Sequence, residues 1–329
     1  MLWVFRKASP CVLQGEALLK SNVNSVQKGI LALIIANIIW GCASPIFKWS
    51  LTNIPPFTLA FWRFFLASIF LGVYLIATKQ CAIPTLNKKH WFKLFWYSLT
   101  GITLNIIFFF LGLQLTLSLN APVIASAQPL LIFLVAPFLL DETVTKRKII
   151  GMVVGTIGVA AIVFEPIYYN GLDGNFIGNL YLVLATVFAV LATLTGRRLF
   201  HDQNPLVLTF WAFIIGGLSF LPLATFEFGR NPLLYQAIDI KGFTGIAFGS
   251  VFSSTIAFSL FAYGLSKISA SESSIFTYID PVAGTILAFF MLHEPITIPF
   301  IIGALCIFGG IFIAERRIHY HPFHKLRKQ

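Results

Sequence analysis

The chain has 329 residues, of which 57% are hydrophobic, 16% aromatic and only 11% charged. That apolar surplus exceeds what the interior of one water-soluble domain takes up, so a wholly soluble protein is excluded and lipid must cover the remainder. The formal net charge of +11 raises the question of nucleic acid. The basic residues, however, lie in short segments between apolar runs and not on an amphipathic soluble face, so no nucleic-acid partner is expected.

Residues 1–27 read as a basic arm without an apolar core long enough for a secretory signal. Ten apolar runs follow, near 28–51, 57–78, 91–114, 119–140, 148–165, 176–197, 206–227, 243–266, 271–292 and 298–315. Each approaches the roughly 20 residues that cross a hydrocarbon layer of about 30 Å at about 1.5 Å per helical residue. The expected fold class is an all-α integral membrane protein of ten transmembrane helices, with the lipid bilayer as its partner. Residues 316–329, "RRIHYHPFHKLRKQ", form a basic tail suited to anionic headgroups. No metal site is expected from its three histidines, nor from Cys11, Cys42, Cys81 and Cys306, which are scattered without a CxxC pair.

Charge orients the spans. With the amino terminus in the cytoplasm, all but four of the 23 Lys and Arg fall on that side; Arg230 and Lys241 lie outside, and Lys48 and Arg63 lie within spans. This is the bias expected of inward-facing loops, and it predicts both termini cytoplasmic in a cell (plasma or inner) membrane.

Two joints in the chain are alike. "LLDETVTKRKIIG" and "MLHEPITIPFIIG" align without a gap at an offset of 152, pairing Pro129 with Pro281, Glu142 with Glu294 and Gly151 with Gly303. Earlier in each half the offset is 149, pairing Pro56 with Pro205 and Trp62 with Trp211. The chain therefore divides into five-helix repeats over 28–165 and 176–315. An odd number of spans makes the second copy enter the membrane from the opposite side, so "DETVTKRK" faces the cytoplasm and its basic-free counterpart faces outward. Inverted repeats are an architecture of secondary transporters, where exchanging the conformations of the halves alternates access to a central site.

With "WGCASPIFKWS" in span one, "PPFTLAFWRF" in span two, and in each half a Gly-Leu pair, a mid-span proline and a terminal Leu-x-Glu, the chain resembles the drug/metabolite transporter superfamily and its ten-span group with two EamA domains. The resemblance covers about residues 28–315. It implies a secondary active transporter, an exporter or exchanger of a small organic metabolite such as an amino acid. Lys48 and Arg63 match basic residues that recur in that family, and Glu142 and Glu294 match its recurring glutamate. The alternative is a polytopic membrane enzyme, or a receptor or scaffold without transport. The sequence holds no Walker loop, no HExxH and no GxSxG, so no catalytic residue, cofactor or enzyme activity is expected, and flux would draw on a gradient of protons or of a counter-solute.

Candidate site residues follow from cost. A charge inside a membrane needs a partner, water or a route to the headgroups. Lys48, near the outer end of its span, either snorkels or joins an electropositive wall; Arg63 suits a substrate carboxylate because its forked donors bind both oxygens. Gln128 in "SAQPLL" and Asp280 in "YIDPVAG" occupy equivalent positions just before Pro129 and Pro281. Each proline withholds an amide hydrogen from the carbonyl four residues back, at Ala125 and Thr277, and this marks a kink or a solute-binding feature at mid-depth. Asp280 is also the candidate coupling residue. Trp40, Trp62 and Tyr278 are the aromatic residues expected to line the cavity. Glu142 and Glu294 read as structural, each followed three residues later by a threonine able to cap the next helix. The glycines of spans five and ten, including Gly155, Gly158, Gly303, Gly309 and Gly310, read as helix-packing contacts.

Overall fold

The computed structural model describes residues 10–79, 88–132, 146–170, 174–202, 204–268 and 273–315, and every regular element among them is helical. Apart from one short turn of helix at Leu233–Gln236, these are in chain order α1 (Pro10–Ser50), α2 (Pro56–Ala77), α3 (Lys88–Leu115), α4 (Asn120–Ala125, resuming over 128–132), α5 (Lys146–Asn170), α6 (Gly174–Asp202), α7 (Pro205–Arg230), α8 (Ile240–Lys267), α9 (Ile279–Leu292, preceded by the 3₁₀ turn Ser274–Tyr278) and α10 (Ile298–Glu315). Seven of the described helices, in α1–α3 and α5–α8, hold segments long and apolar enough to cross a membrane; Phe276–Leu292 and Ile298–Ile313 are apolar but shorter. Large side chains such as Phe70, Ile76, Phe226 and Phe290 stand exposed on the outer faces, as lipid contact requires.

Local signals set the boundaries. Pro56 and Pro205 open α2 and α7, where a fixed φ and a missing N–H cost nothing. Asn204 caps the second of these, its side chain accepting from Leu206 N at 3.0 Å. No proline interrupts the chain between Pro10 and Pro45, and α1 begins at Pro10, so most of the segment read as an arm continues the first helix. At the end of α9, His293 takes a left-handed conformation (φ 54°) that stops the helix, and Thr297 then caps α10 by accepting from Phe300 N at 3.2 Å.

The most extensive helix contacts join α5 to α10, α2 to α7, α3 to α6, and α1 to both α8 and α9. The α5–α10 pair meets backbone to backbone. A side-chain carbon on Gly158 would lie 2.5 Å from the carbonyl oxygen of Gly303, and one on Gly310 would lie 2.5 Å from that of Gly151. The expected glycine packing is present at these positions, whereas Gly309 faces open space. At Gly41 the backbones of α1 and α9 are equally close, an added carbon lying 2.7 Å from the Asp280 carbonyl oxygen.

Two helices carry a feature that the apolar pattern does not announce. Residues Leu99–Leu104 of α3 and Phe248–Ile256 of α8 wind as π-helix, one stretch in each half at matching positions. Such widened turns concentrate at functional sites because they free backbone groups and redirect side chains.

Candidate functional site

A cavity of about 160 Å³ lies among α1, α2, α3, α4, α6, α8 and α9. At the roughly 10–15 Å³ that one water needs, it has room for on the order of ten waters or a small organic solute. Aromatic residues from three of these helices wall it: Trp40, Phe47, Tyr97, Phe109, Phe258 and Phe261. Arg63, Ser44, Asn105, Gln128, Thr186, Thr193, Ser253, Thr277 and Asp280 supply polar groups.

Arg63 is 2% exposed. Its Nε donates to Ser254 Oγ at 2.7 Å and its Nη2 to Ser253 Oγ at 3.1 Å, both serines lying in the π-helical stretch of α8. The guanidinium carbon lies 4.9 Å from the Phe47 ring centre and 4.8 Å from that of Phe64, a favourable stacking for a weakly hydrated cation. Gly249, one turn earlier, leaves room for the stem of Arg63, since an added carbon would lie 3.1 Å from its Cγ. The same widened stretch serves Trp40. Its indole Nε1 donates to the Ser253 carbonyl at 3.0 Å, and its ring meets Phe258 and Phe261 at 5.1 and 5.0 Å.

Asp280 is 7% exposed, and its fully sealed Oδ1 has no hydrogen-bond partner among the described residues. Arg63 and Asp280 line one cavity without forming an ion pair. The equivalent pairs Ala125 with Thr277 and Gln128 with Asp280 all reach it. Both segments leave regular α-helix just before their prolines: α4 pauses at 126–127 and α9 is entered through a 3₁₀ turn, Ser274–Tyr278.

Three of the predicted residues stand elsewhere. Lys48 donates from Nζ to the carbonyls of Leu113 (2.6 Å), Gln114 (3.3 Å) and Thr116 (2.9 Å), so its ammonium closes the carboxyl end of α3, where orphan carbonyls and the helix dipole favour a cation. Trp62 is 39% exposed and packs on Phe61 and Phe65, away from the cavity. Tyr278 sets its ring edge-on to Phe308 of α10 at 6.0 Å. Glu294, 6% exposed, accepts from Ser118 N (2.8 Å), Ser118 Oγ (3.0 Å) and Leu119 N (3.0 Å), capping the start of α4. Glu142 lies outside the described residues. Sequence reading missed Ser253, Ser254 and Asn105, whose amide donates to the Ala185 carbonyl at 2.8 Å. A run of small hydroxyl residues in mid-span, "GSVFSST", is the signal that marks the first two.

Helices of this length and polarity, gathered around a shared polar cavity, define a multi-pass helical membrane protein. The EamA-like transporter family matches residues 27–164 and 176–315. This chain belongs to that family. It is similar to the uncharacterized transporter YetK of Bacillus subtilis, 31% identical over 284 residues that cover 86% of this chain and 85% of that protein. It is also similar to an uncharacterized transporter of Archaeoglobus fulgidus, 27% identical over 88% of this chain and 98% of the other. A chloroplastic WAT1-related protein of Arabidopsis thaliana is 24% identical over 86% of this chain and 68% of its own. One solved crystal structure shares the fold with a TM-score of 0.62 at 18% identity, covering 90% of this chain and 98% of that one.

Proposed function

We propose that the protein is a secondary active transporter that moves a small organic metabolite, such as an amino acid, by alternating access, as an exporter or exchanger. The observation that carries this reading is the cavity itself: one aromatic-walled space shared by helices of both halves, with a guanidinium on its walls and a carboxyl whose sealed Oδ1 is unpartnered among the described residues. In this reading the spare Arg63 donors take a substrate carboxylate, Asp280 takes the amine or carries a proton, and Gln128 and Trp40 orient the remainder. Lys48, Trp62 and Tyr278 then act as supports around the site.

Ten spans arranged as inverted repeats over 28–165 and 176–315 complete the proposal, with the 1–27 arm and 316–329 tail cytoplasmic in the plasma or inner membrane. Two observations support it. The family matches the chain in two separate segments. Exchanging α1–α5 with α6–α10 also converts the α3–α6 contact into the α8–α1 contact and leaves α2–α7 and α5–α10 as self-pairs.

The test is solute flux in proteoliposomes loaded with a panel of zwitterionic metabolites. A transporter releases its solute unaltered and supports counterflow. Chemical conversion of the solute would replace this reading with an enzyme, and binding without flux would replace it with a receptor.

A further inference from the structure

The buried guanidinium of Arg63 is surrounded by more donors than acceptors. It carries five N–H groups. Its bonds to Ser254 Oγ and Ser253 Oγ are the only hydrogen bonds it makes to the described residues. The rings of Phe47 and Phe64 flank its charge but offer no ordinary acceptor. Each serine hydroxyl, having accepted from Arg63, retains its own hydrogen to donate. The Ser253 carbonyl is already engaged by the Trp40 indole at 3.0 Å. No described carboxylate forms an ion pair with this cation, although it is 2% exposed and a buried unpaired charge costs several kcal/mol. Water can satisfy the donors but not the charge; an anion satisfies both.

We propose that Arg63, Ser253 and Ser254 form a binding site for a small inorganic anion, with chloride as the abundant occupant, and that the acidic group of a transported solute displaces it. Binding of the anion stands on the donor cluster alone; displacement rests on the transport reading given above. The site is held in place from three directions. Gly249 lets the Arg63 stem lie close against α8, Trp40 pins Ser253, and Phe47 and Phe64 close the guanidinium faces. A rigid donor array loses little entropy on taking up an ion, so a monatomic anion is a fitting ligand.

The experiment is thermal unfolding of the purified full-length protein as sodium chloride replaces sodium methanesulfonate, whose anion has no carboxylate, at constant ionic strength. A saturable rise in unfolding temperature is expected for the wild type, because a ligand that binds only the folded state stabilises it. Arg63→Gln abolishes the rise. Ser253→Ala keeps the charge but removes one donor, and raises the half-saturating chloride concentration about tenfold. Should Arg63→Gln fail to fold, Ser253→Ala decides alone. No saturable rise in the wild type, or an unchanged half-saturation in the variants, overturns the site. An amino acid that binds the cavity raises the chloride half-saturation in proportion to its own concentration. An Arg63-dependent chloride effect that no amino acid competes with keeps the anion site and removes the solute reading; stabilisation by an amino acid but not by chloride does the reverse.

Discussion

Removing the Glu294 carboxylate tests how the end of α3 and the start of α4 are held. Its two oxygens accept three hydrogen bonds at 2.8–3.0 Å, two of them from the backbone N–H groups that lead into α4. Ser118 and Leu119 are 0% and 1% exposed, so water does not readily replace the lost acceptor. The Ser118 hydroxyl can rotate to another acceptor, but each backbone donor left unpaired costs about 1–3 kcal/mol, which places Glu294→Ala at about 2–6 kcal/mol of destabilisation and Glu294→Gln, which keeps one acceptor oxygen, at about 1–3 kcal/mol. Lys48 holds the carbonyls at the other side of the same loop, at Leu113, Gln114 and Thr116. A double-mutant cycle of Glu294→Gln with Lys48→Met is therefore expected to show coupling of about 0.5–3 kcal/mol. The assay is unfolding by graded replacement of a mild detergent with sodium dodecyl sulfate, followed by tryptophan fluorescence. An Ala variant within about 0.5 kcal/mol of wild type, the scatter of ordinary surface changes, would refute the capping role.

Other outcomes follow from single contacts. Gly158→Val pushes a side chain into the Gly303 carbonyl and is expected to cost about 1–3 kcal/mol in the same assay. Gly309→Ala, with no atom within 4 Å of the added carbon, should be neutral or stabilising by up to about 1 kcal/mol; equal losses for both would mean that α5 and α10 do not pack as described. Asp280→Asn preserves shape while removing titration, so the protein should fold and lose net gradient-driven transport. Surviving counterflow would assign the carboxyl to proton coupling and its loss to amine binding, whereas wild-type rates with unchanged pH dependence would leave a structural aspartate. Single cysteines at 146 and 297 should label only from the cytoplasm and only from outside, respectively; labelling of both from one side would end the inverted-repeat proposal.

Much of the fold was legible because lipid leaves a coarse signature. Runs of about 20 apolar residues, prolines at helix starts and paired glycines all act through local length, backbone chemistry or close approach, and each is visible in one dimension. Arg63 and Asp280 stood out for the same reason, as charges where charge is costly. Facing was harder to read. In "FWRFF" every residue is large and aromatic or basic, so no periodicity says that Trp62 turns to the lipid while Phe64 is fully buried. Lys48 was illegible as a cap because its partners are backbone carbonyls 65 and more residues away, and every residue type carries a carbonyl. The π-helical stretches leave no apolar signature, since one extra residue in a fully apolar helix alters no pattern.

That extra residue has a consequence for the gene. A widened turn holds one amino acid more than the helix around it needs, so loss of a single codon between positions 99 and 104 would restore regular α-helix without opening a gap in the chain. The start of α3 would keep its facing relative to its end, because the wide turn already takes up the added residue within one revolution, and only the groups inside the turn would shift. Trp91, edge-on to Trp211 of α7 at 5.3 Å, would keep its partner, and Asn105 on the far side of the deletion would keep its place beside the cavity. Relatives that lack the wide turn should carry a one-residue gap here and keep the residues at both ends of the helix in register, which makes the length of this helix a record of where the wide turn sits.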